Sequence, residues 1–197
     1  MKLVMRVVLI LFFLLLGFIV TRPDTFHIER STVIAAPPEK ITASIADFHA
    51  WKDWSPWDHM DPEMKKSYDG TAGTPGSSYS WVGNDKVGQG KMTLTDVQPG
   101  QSVTIHLEFI KPFASTNTTT FMVSPQAEGA KVTWNMDGKN NLMSKTMSLF
   151  MNMDKMVGPD FEHGLAALKK MDEMSAAGDS SAMAPAATAA TKHPAAK

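Results

Sequence analysis

The order of apolar and polar positions divides this chain into four parts of different character. Residues 7–20 are an apolar run that contains a single glycine, Gly17. Residues 65–138 alternate apolar with polar side chains between frequent turn signals, which is typical of antiparallel strands with one wet face. After residue 138 the apolar positions recur at three-to-four spacing, which predicts helix. From residue 175 onward the chain is mostly Ala, Ser, Thr, Gly and Pro, so it has almost nothing to bury.

The N-terminal apolar run predicts a membrane anchor over residues 1–22. Counted from Leu3 it is about 18 residues long, just enough to span a ~30 Å hydrocarbon core if Arg6 extends to the head groups. A removed signal peptide has the same basic-then-apolar order, but residues 18–23 lack the small residues of a cleavage site. We therefore expect an uncleaved, single-pass anchor.

The basic residues around this run predict its orientation. Lys2 and Arg6 precede the run and place the N-terminus inside, although Arg22 on the other flank weakens the asymmetry. The domain that follows would then face the periplasm or the exterior.

The segment after the anchor predicts a strand, a short helix and an aromatic loop. Residues 26–34 are rich in β-formers and are expected to form the first strand. Residues 38–48 start with proline and carry apolar side chains at i, i+4 and i+7, which indicates an amphipathic helix. Pro56 prevents helix from continuing through the tryptophan-rich residues 51–57.

Residues 65–138 predict a meander of five or six antiparallel strands. Turn dipeptides such as Asp69-Gly70 and Pro99-Gly100 recur every eight to twelve residues. The clearest strands between them are residues 78–82, 91–97, 102–109, 117–123 and 131–136.

The remainder predicts one long C-terminal helix followed by a disordered tail. Gly158-Pro159 should bend or break this helix, which is expected to end close to Met174. The globular domain is thus assigned to residues 24–174 and the Ala-rich tail to residues 175–197.

Several collinear segments carry a resemblance to a known family. They are residues 29–40, Trp54-Ser55-Pro56-Trp57, residues 88–92, residues 132–136 and residues 158–169. Together they resemble the polyketide cyclase/dehydrase branch of the START-like (Bet v 1-like, SRPBCC) superfamily, over about residues 26–174. The resemblance implies an α+β helix-grip fold, in which a curved antiparallel sheet wraps around a long C-terminal helix. It also implies a cavity between sheet and helix that holds lipids, polyketides or other apolar molecules, with catalysis in only some members.

Aromatic and methionine side chains are the candidate cavity lining under this hypothesis. They are Trp51, Trp54, Trp81, Phe109, Trp134, Met143, Met147, Phe150, Met151, Phe161 and Leu165. The tryptophans of residues 51–57 either close the core where the sheet is open or contact a ligand. The methionines, which recur every four residues from Met143, either form an adaptable cavity wall or bind Cu(I). We favour the wall and expect neither a metal nor a cofactor.

Charge and composition exclude other classes of function. Residues 24–174 contain 14 Lys and Arg against 19 Asp and Glu. This surface repels phosphate backbones, so no nucleic-acid partner is expected. The chain has no cysteine, which rules out thiolate catalysis and disulfides. Phosphate loops, zinc-protease motifs and nucleophile elbows are missing from the sequence as well.

The sequence therefore predicts a membrane-tethered domain that binds a hydrophobic small molecule or lipid and does not catalyse a reaction. Two alternatives remain open at this point. An enzyme of the cyclase or hydrolase kind would use a cavity acid such as Asp47 or Glu108. An interaction module of the cell envelope would instead expose the tryptophan segment. His59, near Asp58 and Asp61, is expected to be a solvated surface residue rather than a proton relay or a metal ligand.

Overall fold

A computed structural model describes residues 1–149 and 152–182 of this chain. The described residues form five α-helices: α1 (Lys2–Val20), α2 (Pro38–Ala46), α3 (Trp51–Trp54), α4 (Leu142–Met147) and α5 (Met153–Ala182). Seven strands accompany them: β1 (Thr25–Ile34), β2 (Lys65–Asp69), β3 (Ser78–Val82), β4 (Gln89–Gln98), β5 (Ser102–Lys111), β6 (Ser115–Gln126) and β7 (Gly129–Lys139). A 3-10 turn over Pro56–His59 follows α3.

The strands form one antiparallel sheet in the order β1-β7-β6-β5-β4-β3-β2. Strands β2 to β7 are a meander, and β1 joins the free edge of β7. Irregular pairing of β4 with β5 at Gln89/Gly90 and again at Leu94/Asp96 adds to the bend of the sheet. Helix α5 packs across the inner face and contacts β1, α2 and α3. This confirms the predicted α+β helix-grip fold with an apolar N-terminal helix.

The inner face of the sheet and the buried side of α5 form one hydrophobic core. Along β5 and β7 the buried positions alternate with exposed or half-buried ones, because successive side chains of a strand point to opposite faces. The largest fully buried side chains are Trp54, Trp134, Phe121, Phe161, Ile28, Ile34, Ile41, Ile45, Leu94, Ile105, Leu165 and Leu168.

Of the two outcomes predicted at Gly158-Pro159, a bend or a break, the break is not found, because α5 continues through both residues. Arg30 of β1 supports this continuity. Its Nε donates to Glu162 Oε1 at 2.7 Å, and its Nη1 and Nη2 donate to Asp154 at 2.8 and 3.1 Å. These carboxylates lie one turn to either side of Gly158, and a Cβ on Gly158 would lie only 2.1 Å from the guanidinium. Arg30 thus ties together the helical turns on both sides of the proline.

The helix is interrupted earlier, between the end of α4 at Met147 and the start of α5 at Met153. At the other end, α5 extends to Ala182 rather than ending near Met174. The rest of the predicted tail, residues 183–197, lies outside the described residues.

Helix α1 is the one helix of the described chain that is long and apolar enough to cross a membrane. Its side chains are exposed except for Ile19, which is 7% exposed. The end of α1 is attached to the domain through α4, where the Lys145 ammonium donates to the Val20 carbonyl oxygen at 3.4 Å and pairs with Asp24. This ion pair lowers the pKa of the Asp24 carboxyl.

Candidate functional site

An apolar cavity of about 440 Å³ lies between the inner face of the sheet and α5. Its walls come from the inward faces of β3 to β7, from α3 and the turn after it, and from the first two turns of α5. The apolar lining consists of Phe26, Trp51, Trp57, Met64, Tyr79, Trp81, Val87, Met92, Leu107, Phe109, Pro112, Trp134, Met136, Met153, Met156, Val157 and Phe161. The cavity is therefore a space with aromatic and thioether walls.

The aromatic wall is centred on Trp134 of β7. Its indole stacks on Phe161 of α5, with ring centroids 4.1 Å apart and planes 10° from parallel. Trp51 and Trp57 approach the same indole edge-on, at 6.4 and 5.9 Å between centroids. These contacts join the sheet, the tryptophan segment and the helix at the inner end of the cavity, which makes this wall rigid.

Trp81 of β3 forms a second part of the wall because its neighbour in the sheet has no side chain. Gly90 of β4 pairs with Trp81, and a Cβ there would lie 2.4 Å from the indole ring. The indole N–H donates to the Val87 carbonyl oxygen at 3.0 Å. Trp81 is thus held against the sheet with its polar atom satisfied and its apolar surface towards the cavity.

Nine of the 26 lining residues are polar, and Lys86 and Lys139 are among them. Asn117 and Thr119 of β6 are buried inward-facing residues, 5% and 4% exposed. The side-chain oxygen of Asn117 is buried and has no hydrogen-bond partner among the described residues. The indole nitrogen of Trp134 is also buried without a partner there. Both atoms are enclosed by their neighbours, so each is an unpaired polar atom within the wall, which costs free energy.

Two carboxylates lie on the cavity wall. Asp58 is ion-paired to Lys66 of β2. Asp160 of α5 is half-buried, and this burial raises the pKa of its carboxyl, against the smaller opposite effect of His163. The cavity thus favours the neutral form of Asp160 more than water does.

We expect Asp160→Asn to increase the free energy of unfolding at pH 7. The pKa of Asp160 is higher in the folded than in the unfolded state, so ionisation of Asp160 lowers the free energy of unfolding. This loss disappears at a pH low enough for the carboxyl to be protonated in both the folded and the unfolded state. The gain should therefore shrink as the pH falls towards about 4, near the ordinary range of an aspartate. Urea titrations at the two pH values measure it, with the exposed turn residue Glu128→Gln as the charge-matched control. Equal stability of Asp160→Asn and the unchanged protein at pH 7 would contradict this interpretation.

The structure places nine of the eleven candidate residues, in three settings. Trp51, Trp81, Phe109, Trp134 and Phe161 line the cavity. Trp54 and Leu165 are 1% and 2% exposed and belong to the core behind the lining. Met143 and Met147 line a separate groove beside the end of α1. Phe150 and Met151 lie outside the described residues.

The carboxylates considered for catalysis are not part of the cavity lining described. Asp47 ends α2, where its Oδ1 accepts from the His49 N–H at 2.9 Å as a turn residue. Glu108 is about half exposed and lies 3.8 Å from His106. His59 is exposed. In the described ranges no group of three or more His, Asp or Glu residues is arranged to hold a metal ion.

Several lining residues were missed by the sequence analysis. Asn117 is at the same strand parity as Phe121, so the alternation of β6 could have placed its side chain inward. Asn117 and Thr119 were not considered because the candidate cavity lining included only apolar side chains. Asp160 directly precedes the buried Phe161, and only the packing of α5 shows that it reaches the cavity.

Solved structures share this fold at low sequence identity. Protein CV1439 from Chromobacterium violaceum matches with a TM-score of 0.55 and 16% identity, over 77% of this chain and 99% of its own. The Aha1 dimer from Colwellia psychrerythraea matches with a TM-score of 0.54 and 16% identity, over 76% of this chain and 97% of its own.

A third match is the di-domain ARO/CYC StfQ from the steffimycin biosynthetic pathway, with a TM-score of 0.58 and 10% identity. It covers 78% of this chain, which spans about half (52%) of StfQ. At these identities the likeness shows the fold alone. No curated protein matches this chain.

Residues 25–171 match the model of the family described as polyketide cyclase / dehydrase and lipid transport. The matched segment begins with β1, ends within α5 and includes the whole cavity. The sequence resemblance, the helix-grip fold and the family match agree, and this chain belongs to the polyketide cyclase/dehydrase and lipid transport family.

Proposed function

We propose that this protein binds a hydrophobic small molecule in the cavity between its sheet and α5, without catalysing a reaction, while α1 holds it in a membrane. The observation that carries the proposal is the composition of the cavity wall, in which 17 of the 26 lining residues are apolar and 13 of these are aromatic or methionine. Ligand sites for small apolar molecules have this composition.

The size of the cavity restricts the ligand. Its volume of about 440 Å³ lies in the lower half of the ~300–1,000 Å³ range of small-molecule sites. A single acyl chain or a compact polycycle fits this space, whereas a phospholipid with two long chains is too large for it.

The membrane tether is supported by the length and apolar character of α1. A ligand this apolar concentrates in bilayers, so a binding domain held at the bilayer meets it at a raised effective concentration. The basic residues Lys2 and Arg6 favour an orientation with the N-terminus inside and the domain outside.

A second candidate function is favoured by one observation, the position of Asp160 on the cavity wall with a raised pKa. A carboxyl group of this kind can act as a general acid towards a bound substrate. The two functions are distinguished by the molecules that copurify. If Asp160 acts chemically, Asp160→Asn should retain a different compound from the unchanged protein, whereas binding alone leaves the compound the same.

Thermal unfolding with a panel of ligands tests the binding proposal. The full chain in phosphatidylcholine nanodiscs is heated with palmitate, an anthraquinone, phosphatidylglycerol or glucose, and Tm is followed by tryptophan fluorescence. A ligand present at 100 times its Kd stabilises the folded state by about 2.7 kcal/mol. We expect palmitate or the anthraquinone to raise Tm, and phosphatidylglycerol and glucose to leave it unchanged. No shift with either apolar compound would count against the proposal.

A further inference from the structure

Exposed apolar side chains gather at one end of the domain. Phe113 of the β5–β6 connection is 57% exposed, Met143 of α4 is 57% exposed, and Met153 and Met156 of α5 are 41% and 50% exposed. All four line one groove of about 720 Å³, which we call the anchor-side groove. Soluble domains seldom expose a contiguous apolar patch of this kind without a partner for it.

The anchor-side groove begins where the apolar helix α1 ends. Arg22 and Pro23, the second and third residues after α1, are part of its wall. The groove is fixed there by hydrogen bonds, since the Asn140 side chain donates to the Pro23 carbonyl oxygen at 3.1 Å and its N–H donates to the Asp24 carbonyl oxygen at 2.8 Å. A helix that spans the bilayer therefore places this groove at the membrane surface.

The groove also adjoins the cavity. The two spaces share the wall residues Phe26, Pro112, Ser115, Ser144, Met153 and Met156. Only these side chains therefore stand between the groove and the end of the cavity nearest α4.

The charges around the groove are compatible with lipid head groups. Among the described residues that line the groove, Asp154 is the one acidic residue, and it is paired with Arg30 at 2.8 Å. The neighbouring carboxylate of Asp24 is paired with Lys145. Both negative charges are thus compensated within the protein, while Arg22 adds a positive charge to the groove wall.

We propose that the anchor-side groove lies on the bilayer, with Phe113, Met143, Met153 and Met156 inserted among the lipids beside α1. The cavity then exchanges its ligand with the lipid phase through this groove. The contact with the bilayer follows from the groove and α1, whereas the exchange rests on the binding function proposed above. Apolar side chains next to basic ones are the usual composition of surfaces that bind in the membrane interface.

Single cysteines test this contact, because the chain has no cysteine of its own. Phe113→Cys and Met156→Cys are each labelled with a fluorophore, and the full chain is reconstituted in phosphatidylcholine and phosphatidylglycerol vesicles that contain doxyl-labelled lipid. Met122→Cys is the matched control: Met122 is 52% exposed and lies on β6 roughly 23 Å from the groove residue Ser115, at about 3.3 Å per residue. Leu16→Cys within α1 reports on the membrane span itself.

We expect the labels at positions 113 and 156 to be quenched severalfold more strongly than the label at position 122, and the label at position 16 to be quenched as well. If the labels at positions 113 and 156 are quenched as weakly as the label at 122, while the label at 16 is quenched strongly, the groove does not contact the membrane. The tether would remain supported in that case. Weak quenching at all four positions would overturn both the contact and the proposed tether.

Discussion

Thr119→Trp is expected to abolish binding of a small apolar ligand while leaving the domain folded. Thr119 lies on the inner face of β6, opposite Ile105 and Met136 in the sheet, and lines the cavity. An indole at this position projects into the 440 Å³ space and takes up much of the room that the ligand needs. We expect the affinity for palmitate, or for whichever panel compound binds, to fall at least about 100-fold, which corresponds to roughly 2.8 kcal/mol. Isothermal titration calorimetry on the full chain in nanodiscs measures this loss.

The neighbouring residue provides the control for this variant. Thr118 is exposed on the outer face of β6, so Thr118→Trp adds the same side chain to the same strand outside the cavity. This variant should bind as tightly as the unchanged protein. Equal affinities of the two variants would mean that the ligand does not occupy this cavity, provided that circular dichroism shows both to be folded.

Trp134→Ala is expected to have the largest effect on stability. The Trp134 side chain is 2% exposed and contacts Phe121, Phe161 and the tryptophans of α3. Removing a buried tryptophan leaves a void that the surrounding structure fills only in part, at a cost of about 3–5 kcal/mol. Since domains of this size are stable by only about 5–15 kcal/mol, the variant should unfold at a much lower urea concentration.

Met122→Ala is the matched control for this loss of stability, because Met122 directly follows the buried Phe121 on β6 but is half exposed on the outer face of the sheet. Its effect should stay within about 0.5 kcal/mol, as for other surface substitutions. A loss below about 1 kcal/mol for Trp134→Ala would show that the stacked aromatic wall does not join sheet and helix as described.

The sheet could be predicted from the sequence wherever one face of a strand is buried. In β5, the buried residues Val103, Ile105 and Leu107 alternate with polar ones, and this pattern is visible without a structure. Strand β2 could not be recognised in this way, because its five residues are exposed or half-buried and show no apolar alternation. Its position follows only from its pairing with β3.

Contacts between distant residues account for the features that the sequence did not predict. The continuity of α5 across Pro159 depends on Arg30, more than a hundred residues earlier in the chain. Large aromatic residues were predicted to line the cavity because size and apolarity are visible in the sequence, and Trp81 and Phe109 do lie on its wall. Trp54 is equally large but belongs to the core. The sequence could not show this, because only tertiary packing decides which side of an aromatic residue is left open.

Native mass spectrometry of the full chain, purified from its membrane without added ligand, shows whether the cavity is occupied. We expect a species that carries one additional small apolar molecule per chain, which organic extraction releases and identifies. This species should persist in Thr118→Trp and be missing from Thr119→Trp. A bare chain mass for the unchanged protein and for Thr118→Trp, or the same bound molecule in Thr119→Trp, would contradict the claim that the cavity binds a hydrophobic small molecule.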